Sequence, residues 1–435
     1  MALGRRKDRQ DSLWIARQEL PRTGGHVFYD RVNRLLDEQG FDRFAEDACA
    51  KFYAAVMGRP GVAPGVYFRM QLVGYFEGLD SERGIAWRCA DSLSLREFLG
   101  VGVTDSVPDY STVSRTRRLI DLETHSEVFS WILGVLGTAG LIDGKTVGVD
   151  ASTLEANAAM RSIVRRDSGE AYNDFLTRLA KESGIETPTR EDLAKLDRKR
   201  PKKGSNKEWE HPHDPDSRIT KMKDGRTHLA HKVEHAVDMK TGAVLAVTVQ
   251  GADQGDTTTI QETTAEAAGQ LERLASDVSS KLRDNYFSEL VTDKGYHSNE
   301  TMTDFRDLGI RTYASEPNRG RRNWKKKPDE KAAVYANRRR IHGKRGKQLL
   351  RQRGLMLERP FAHALETGDM RRVHLRGREN ILKRVLIQYA ALNLSLLLRQ
   401  DLGKGTPRGF QDQCVAALSL LIQLWGAHES LFDRS

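Results

Sequence analysis

Three acidic residues stand where metal-dependent chemistry on phosphate esters would need them. Asp150 follows Thr146-Val147-Gly148-Val149, which alternates like a strand, and precedes the small polar run Ala151-Ser152-Thr153. Asp293 closes the short apolar run ELVTD (289–293) and precedes Lys294-Gly295-Tyr296-His297. Both acids are expected at strand C-termini, where open α/β sheets place their ligands. Hard cations such as Mg²⁺ take oxygen ligands and keep several waters, so two or three carboxylates suffice. A two-metal centre holds its ions roughly 4 Å apart, one activating the attacking oxygen and one stabilising the leaving oxygen. The third acid is assigned to Glu358 in GLMLERPFAHAL (354–365). Helical spacing places Leu355, Glu358, Ala362 and Leu365 on one face, and an acid on an apolar face is costly unless paired or bound to metal. Glu316, Glu330 and Glu379 are the rival positions.

Charge points to a polyanion. The 435 residues carry 70 Lys+Arg against 60 Asp+Glu, a net charge of +10. Between Arg319 and Arg353 there are 15 basic residues and only Asp329 and Glu330 as acids, a local excess of +13. The other 400 residues therefore carry about −3. Such a block is either a solvated basic loop or a surface that grips phosphates, with binding that falls steeply with salt. Within it Arg321, Arg322, Lys325, Lys326, Arg338, Arg339, Arg340, Lys344, Arg345 and Arg353 are the expected DNA contacts. Trp324 and Tyr335 are interleaved and suited to stacking on bases.

The elements that must position these residues fall into two regions. Residues from about 10 to 140 read as helical, broken at GRPGVAPG (58–65). Ser81 is expected as the cap of one helix and Ser111 as the cap of another bearing Arg115, Arg117 and Arg118. A series of short helices ending in an Arg-bearing one suits either a helix-turn-helix-like DNA reader or an ordinary charged helical domain. From 146 the pattern becomes α/β. HLAHKVEHAVD (228–238) and AVLAVTVQGA (243–252) form a hairpin across Met239-Lys240-Thr241-Gly242. A helix over 257–283, capped by Asp256, a helix near 298–308 and a strand at 310–316 complete a mixed sheet. Residues 160–225 interrupt it as a polar insertion, helical near 168–183 and mobile near 198–218. Helices are expected at 348–366, 378–400 and, amphipathic, at 411–427. The domain division is thus 1–140, 141–400 and a C-terminal helical extension, 401–435.

Other classes are disfavoured. No apolar run reaches the roughly 18 residues that span a bilayer. The N-terminal MALGRRKDRQDS lacks a signal-peptide core, so a cytoplasmic location is expected. Three scattered cysteines make no disulfide frame or zinc site. Gly144-Lys145-Thr146 lacks the earlier glycine of a P-loop, since Ala139 stands there. His228 faces away from His231 and His235 on a strand, which disfavours zinc. His211, His213, Asp214 and Asp216 read as a solvated turn, and His297 as a loop residue able to approach a phosphate.

Taken together, VGVDASTLEANA (147–158), VTDKGYHS (291–298) and LERPFAHAL (357–365) resemble the DDE signature of bacterial insertion-sequence transposases. MRRVHLRGRENILKRVLIQYAALNL (370–394) resembles the tail that follows the family's Glu. Residues 60–120, with PDYSTVSRTRR, resemble its N-terminal helical domain, and DPDSRITK (214–221) with the hairpin resembles its middle section. The resemblance runs from about 50 to 400. It implies an α/β RNase H-like catalytic domain with a mixed sheet, preceded by an all-α N-terminal domain. It implies a transposase in which Asp150, Asp293 and Glu358 hold two Mg²⁺ ions, with Mn²⁺ as substitute. Double-stranded DNA, both terminal inverted repeats and target, would be the partner, held by a homodimer. Cleavage of the transposon end would be followed by attack of its 3′-hydroxyl on target DNA. An RNase H-like resolvase or nuclease, or a transposase-derived regulator without activity, are the alternatives. One branch of the family carries Tyr-x2-Arg-x3-Glu-x6-Lys around its Glu. Here those places hold Arg351, Gly354 and Leu365, so the hairpin-end chemistry tied to that motif is not implied; Arg353 or Arg359 is the substitute phosphate contact.

Overall fold

The structure, a computed structural model, describes residues 24–54, 61–200, 204–222, 225–277, 279–282, 284–318, 320 and 322–412. The helix expected at 411–427 and Arg321 lie outside the described residues.

Seven helices come first: α1 (Gly24–Glu38), α2 (Phe41–Cys49), α3 (Pro64–Glu77), α4 (Glu82–Asp91), α5 (Leu93–Phe98), α6 (Tyr110–Leu119) and α7 (Leu122–Ala139). The last four, α4 to α7, each start on a side chain that takes up an otherwise unmet amide. Ser81 accepts from the Gly84 N–H, as expected. For α6 the cap is Asp109, which accepts from the Thr112 N–H at 2.7 Å, while Ser111 donates to that same carboxylate. The carboxylate two residues earlier outcompetes the serine because an ionised acceptor makes the stronger bond.

The α/β part follows as β1 (Thr146–Glu155), β2 (Val164–Arg165), α8 (Tyr172–Glu182), α9 (Arg190–Lys199), β3 (Trp209–Glu210), β4 (Arg218–Lys221), β5 (Thr227–Asp238), β6 (Val244–Gly251), α10 (Asp256–Ser276), β7 (Glu289–Thr292), α11 (Asn299–Asp307), β8 (Arg311–Ala314), α12 (Pro328–His342), α13 (Lys344–Phe361) and α14 (Arg378–Leu402). β5 pairs antiparallel with β1 on one edge and with β6 on the other, where its first residues also take β4. β1 then pairs parallel with β7, and β7 with β8. The main sheet is mixed, in the order β6-β5-β1-β7-β8. Its β6 edge is closed by Asn393 of α14, which bonds both the N–H and the C=O of Val244. At the β8 edge, Asn337 of α12 does the same to Ala314. Two buried amides thus cover the backbone groups a sheet edge leaves open.

Several expectations are corrected. β1 runs on through Asp150 to Glu155, because its pairing with β5 continues from Val147↔Asp238 to Glu155↔Ala230. The change to small polar residues after Val149 marks where β7 stops pairing, at Gly148↔Val291, rather than where the strand ends. The insertion is folded where described: α8 packs over Trp209 and Ile163 through Tyr172 and Phe175, α9 packs on α8, and β4 joins the main sheet. Asp256 occupies the first turn of α10, which starts after Gly255, and makes no cap bond. The basic segment is not a loop, since α12 and α13 fill most of it.

α14 links the two regions. It packs on α3 and α7 as well as on β6. By length and apolarity alone it would suit a bilayer, but its apolar stretch is 89% buried, so it is a core helix. Its buried Arg384 donates to the Gln71 side chain at 2.6 Å and to the Leu79 carbonyl, and any side chain at Gly74 would strike the guanidinium.

Candidate active site

Asp150 and Asp293 each lie two residues beyond Gly148↔Val291, where parallel pairing between β1 and β7 stops. Burial raises the Asp150 carboxyl to about 6; Arg353 opposes the rise, and the nearby charges of Asp293 and Asp256 add to it. Arg353 of α13 approaches Asp150 at 3.5 Å. Asp293 opens the turn after β7 and accepts from the Gly295 N–H at 2.6 Å. Gly295 must be bare: a Cβ there would collide with Asp256 and press on Asp293 Oδ1. The sheet and the turn therefore place Asp293 and Asp256 near enough for their charges to act on Asp150, with the Arg353 guanidinium beside it.

Glu358 reaches this region through its neighbour. Leu357 is fully buried against β1, where a Cβ at Gly148 would stand 2.7 Å from Leu357 Cδ2 and 2.5 Å from Met239 Sδ. His235, the register partner of Asp150, is buried and stacks on Phe361 at 3.7 Å. Burial lowers its ring to about 3, so it packs as a neutral aromatic. These contacts fix α13 beside β1. The Glu358 side chain itself is exposed, as are Leu355 and Ala362. The apolar-face argument for Glu358 is corrected accordingly: the buried face of the helix is Leu349, Leu357, Pro360 and Phe361. Glu358 carries no burial cost, and it makes no ion pair or hydrogen bond among the described residues.

The rival acids are already engaged. Glu316 is gripped by Arg338 through two bonds and by Arg322. Glu330 accepts from Lys327 and Asn299 in the first turn of α12. Glu379 pairs with Lys383 one turn on. Among the described residues no three His, Cys, Asp or Glu side chains stand close enough to share an ion. Asp150 and Asp293 are brought together; Glu358 is brought to the adjoining segment with its carboxylate turned outward.

The cations divide sharply. Arg117 is buried, bonded to Glu82 at 2.7 Å and to Asn380 at 2.6 Å, while Arg115 and Arg118 are exposed. Arg322 and Arg338 hold Glu316. Arg340 donates to the Thr312 carbonyl and hydroxyl. Arg345 clasps the buried Glu289. Lys325, Lys326, Arg339 and Lys344 are exposed and make no ion pair among the described residues. Trp324 and Tyr335 pack against each other, 6.0 Å apart, with Arg322 and Arg338 over their rings. His297 is fully buried rather than a solvent-exposed loop residue.

A buried network behind the site escaped the sequence reading. Lys232 donates to Asp256 at 2.6 Å and to Thr259 at 2.9 Å. Glu234, fully buried on β5, accepts from Thr259, Thr263 and Tyr296. Burial raises its carboxyl despite those donors. The signal was present as charges alternating inside an apolar strand, KVEHAVD, which reads equally well as a solvent face.

The comparisons with known proteins agree with this arrangement. Residues 16–119 match a family profile described as Transposase domain (DUF772). Residues 196–394 match the profile Transposase DDE domain, which takes in Asp293 and Glu358 but begins after Asp150. No curated protein matches the chain.

Proposed function

Since this chain belongs to the insertion-sequence DDE transposases, we propose that Asp150, Asp293 and Glu358 are its catalytic carboxylates and that they use two Mg²⁺ ions, or Mn²⁺ in their place. The observation that carries this reading is that Asp150 on β1 and Asp293 just after β7 flank the break in β1–β7 pairing, with the Asp293 charge acting on Asp150 and Arg353 of α13 beside Asp150. The donor set fits hard divalent cations: oxygen ligands only, crowded enough to raise one another's affinity for positive charge. The strand order β6-β5-β1-β7-β8, antiparallel for three strands and parallel for two, supports an RNase H-like catalytic domain over 141–400. The helices of 1–140 precede it as a DNA-binding domain, and 401–435 follows as an extension.

Bound cations would supply Lewis-acid stabilisation of the phosphate and an activated water or hydroxyl. The protein's share is positional. Asp150 and Asp293 are fixed by the sheet and the Gly295 turn, so little ordering remains to be done when DNA arrives. Glu358, exposed and unpaired among the described residues, turns in to complete the set. Arg353, already at Asp150, is the guanidinium nearest the scissile phosphate. The chain cleaves at the terminal inverted repeats, then delivers the 3′-hydroxyl to target DNA, as a homodimer that holds two ends.

The test is nicking of a duplex carrying the inverted repeat that flanks the gene, with Mg²⁺. Asp150→Asn, Asp293→Asn and Glu358→Gln should each abolish nicking while leaving DNA affinity intact. If all three variants still nick, the site is elsewhere. If Glu379→Gln alone abolishes nicking, Glu358 is the wrong third acid.

A further inference from the structure

Beyond Arg353, α13 runs past the turn between β5 and β6 and on to α14. Between these three elements lies a cavity of about 50 Å³. By that measure a single water needs about 10–15 Å³, so the space suits one group of a few heavy atoms. Met356, Pro360 and Leu392 give it apolar walls. Arg359, His363 and Arg399 bring ionisable groups to it, and no Asp or Glu among the described residues lines it.

The charges there are unmatched. Arg359, His363 and Arg399 make no ion pair or hydrogen bond among the described residues. Arg399 is half-buried, where a charge without a partner is costly. Burial, and then the charge of Arg359, hold its guanidinium below the ordinary value. Burial, and then Arg399 and Arg359, do the same to the His363 ring. His363 is therefore neutral at neutral pH, and the two guanidiniums carry the positive charge. Tyr75 of α3 also lies near Arg399, as a neutral phenol that burial pushes up to about 12. The contrast is with Arg69, held by Asp37 and Asp42, and with Arg117, held by Glu82.

We propose that this cavity binds a small phosphate-class dianion between the guanidiniums of Arg359 and Arg399. Each planar fork matches two oxygens of such a group. The apolar walls strengthen the attraction by lowering the local dielectric. Two cations call for two negative charges. A phosphate outside a diester carries about 1.5 to 2 near neutrality, whereas each phosphate within a DNA strand carries one. Bound there, the dianion ties α14 to the end of α13, where the helix passes into a π-helical turn at Ala362–Thr367. Arg359, expected from the sequence as a contact for the scissile phosphate, thereby takes a different occupant. The site does not depend on which acid joins Asp150 and Asp293.

The experiment titrates inorganic phosphate into the full chain in metal-free buffer, with ionic strength held constant by chloride, read by calorimetry and by melting. Saturable binding of about one phosphate per chain is expected, with a Kd of about 1 mM or tighter, and melting should rise with occupancy. Sulfate should substitute and chloride should not. General stabilisation by excluded anions is common to parent and variants, so only their difference counts. Arg359→Gln, at an exposed position, should weaken binding about tenfold or more. Arg399→Met should abolish it and, without phosphate, melt no lower than the parent, because an unmatched half-buried charge is gone. A parent without saturable binding, or variants with an unchanged response, overturns the proposal. So does an Arg399→Met protein that melts several degrees lower without phosphate, since an internal acid would then be the partner. Excess duplex DNA should leave phosphate binding intact; displacement would make the cavity a DNA contact and equally overturn the proposal.

Discussion

The two halves of the basic segment look alike in sequence and behave differently in the structure. In the first half and at its seam with α13, four arginines face inward, while Arg339 reaches solvent. Arg322 and Arg338 hold Glu316, Arg340 holds Thr312 at the end of β8, and Arg345 holds Glu289 on β7. They bind two helices to the parallel side of the sheet. Along the outer face of α13 the cations have no such work, and they lead toward Glu358. Local charge therefore counts two quantities at once, structural clamps and cations left to solvent. Arg353 belongs to neither half, since it faces Asp150 itself. The lesson is that an arginine with its fork-shaped head filled by an internal carboxylate is already committed, whatever the net charge around it.

Each half can be attacked separately. The largest effect is expected from Arg345→Met. Glu289 is 2% exposed at its side chain, so losing the guanidinium leaves a buried charge without its partner. Because Arg345 is half-exposed, the cost is discounted to about 2 kcal/mol in urea unfolding, below the value for a fully buried pair. The salt slope of DNA binding should not move. A slope lowered by about 1 would put Arg345 among the DNA contacts and break the division.

Asp150→Asn comes next and tests the intermediate case. The Asp150 carboxyl is raised to about 6, chiefly by burial, so the folded state binds its proton more tightly than the unfolded chain does. The cost to folding of ionising this group is therefore absent below the unfolded value, about 4, and is fully developed above about 6. Without divalent cations, Asp150→Asn should be more stable than the parent at pH 7.5, by about 2 kcal/mol after allowance for partial exposure, with the difference shrinking as pH falls below about 6 and closing only below about 4. A constant difference across that range would show that Asp150 does not titrate there.

Arg338→Gln should cost less, about 1 kcal/mol at neutral pH. Its hydrogen bonds to Glu316 outweigh burial and hold that carboxyl below its ordinary value. The contribution is present above the unfolded pKa and is lost as pH falls through the folded one. The difference between variant and parent, followed by thermal melting, should shrink as pH drops below about 4.5. The smallest effects belong to Lys325→Gln and Lys326→Gln. Stability should stay within about 0.5 kcal/mol, and any contact with DNA should appear as a slope loss of about 0.9 each.

Much of this was legible in the sequence. Alternation fixed the hairpin of β5 and β6, and the Met239–Gly242 turn joins them as expected. Local patterns found Asp293 at the end of β7, because strand and turn signals are short-range. What failed were features decided by partners far along the chain. The end of β1 was misplaced because β5 keeps pairing after β7 lets go. Asp256 looked like a helix cap but is bonded to Lys232, a residue 24 positions away. Glu358 was singled out by an apolar-face argument that the packing of α13 reverses, since Leu355 is 66% exposed. Above all, no local rule separates Arg338 from Arg339: one reaches Glu316 and the other reaches solvent.

The account turns on whether Glu358 joins Asp150 and Asp293 around divalent cations when DNA is bound. A crystal of the full chain with a repeat-end duplex and Mn²⁺, measured for anomalous scattering, would answer this directly. The expected map has metal peaks at ordinary coordination distance, about 2 Å, from carboxylate oxygens of Asp150, Asp293 and Glu358. Metal bound by Asp150 and Asp293 with a different third acid, or metal bound away from both aspartates, would contradict it.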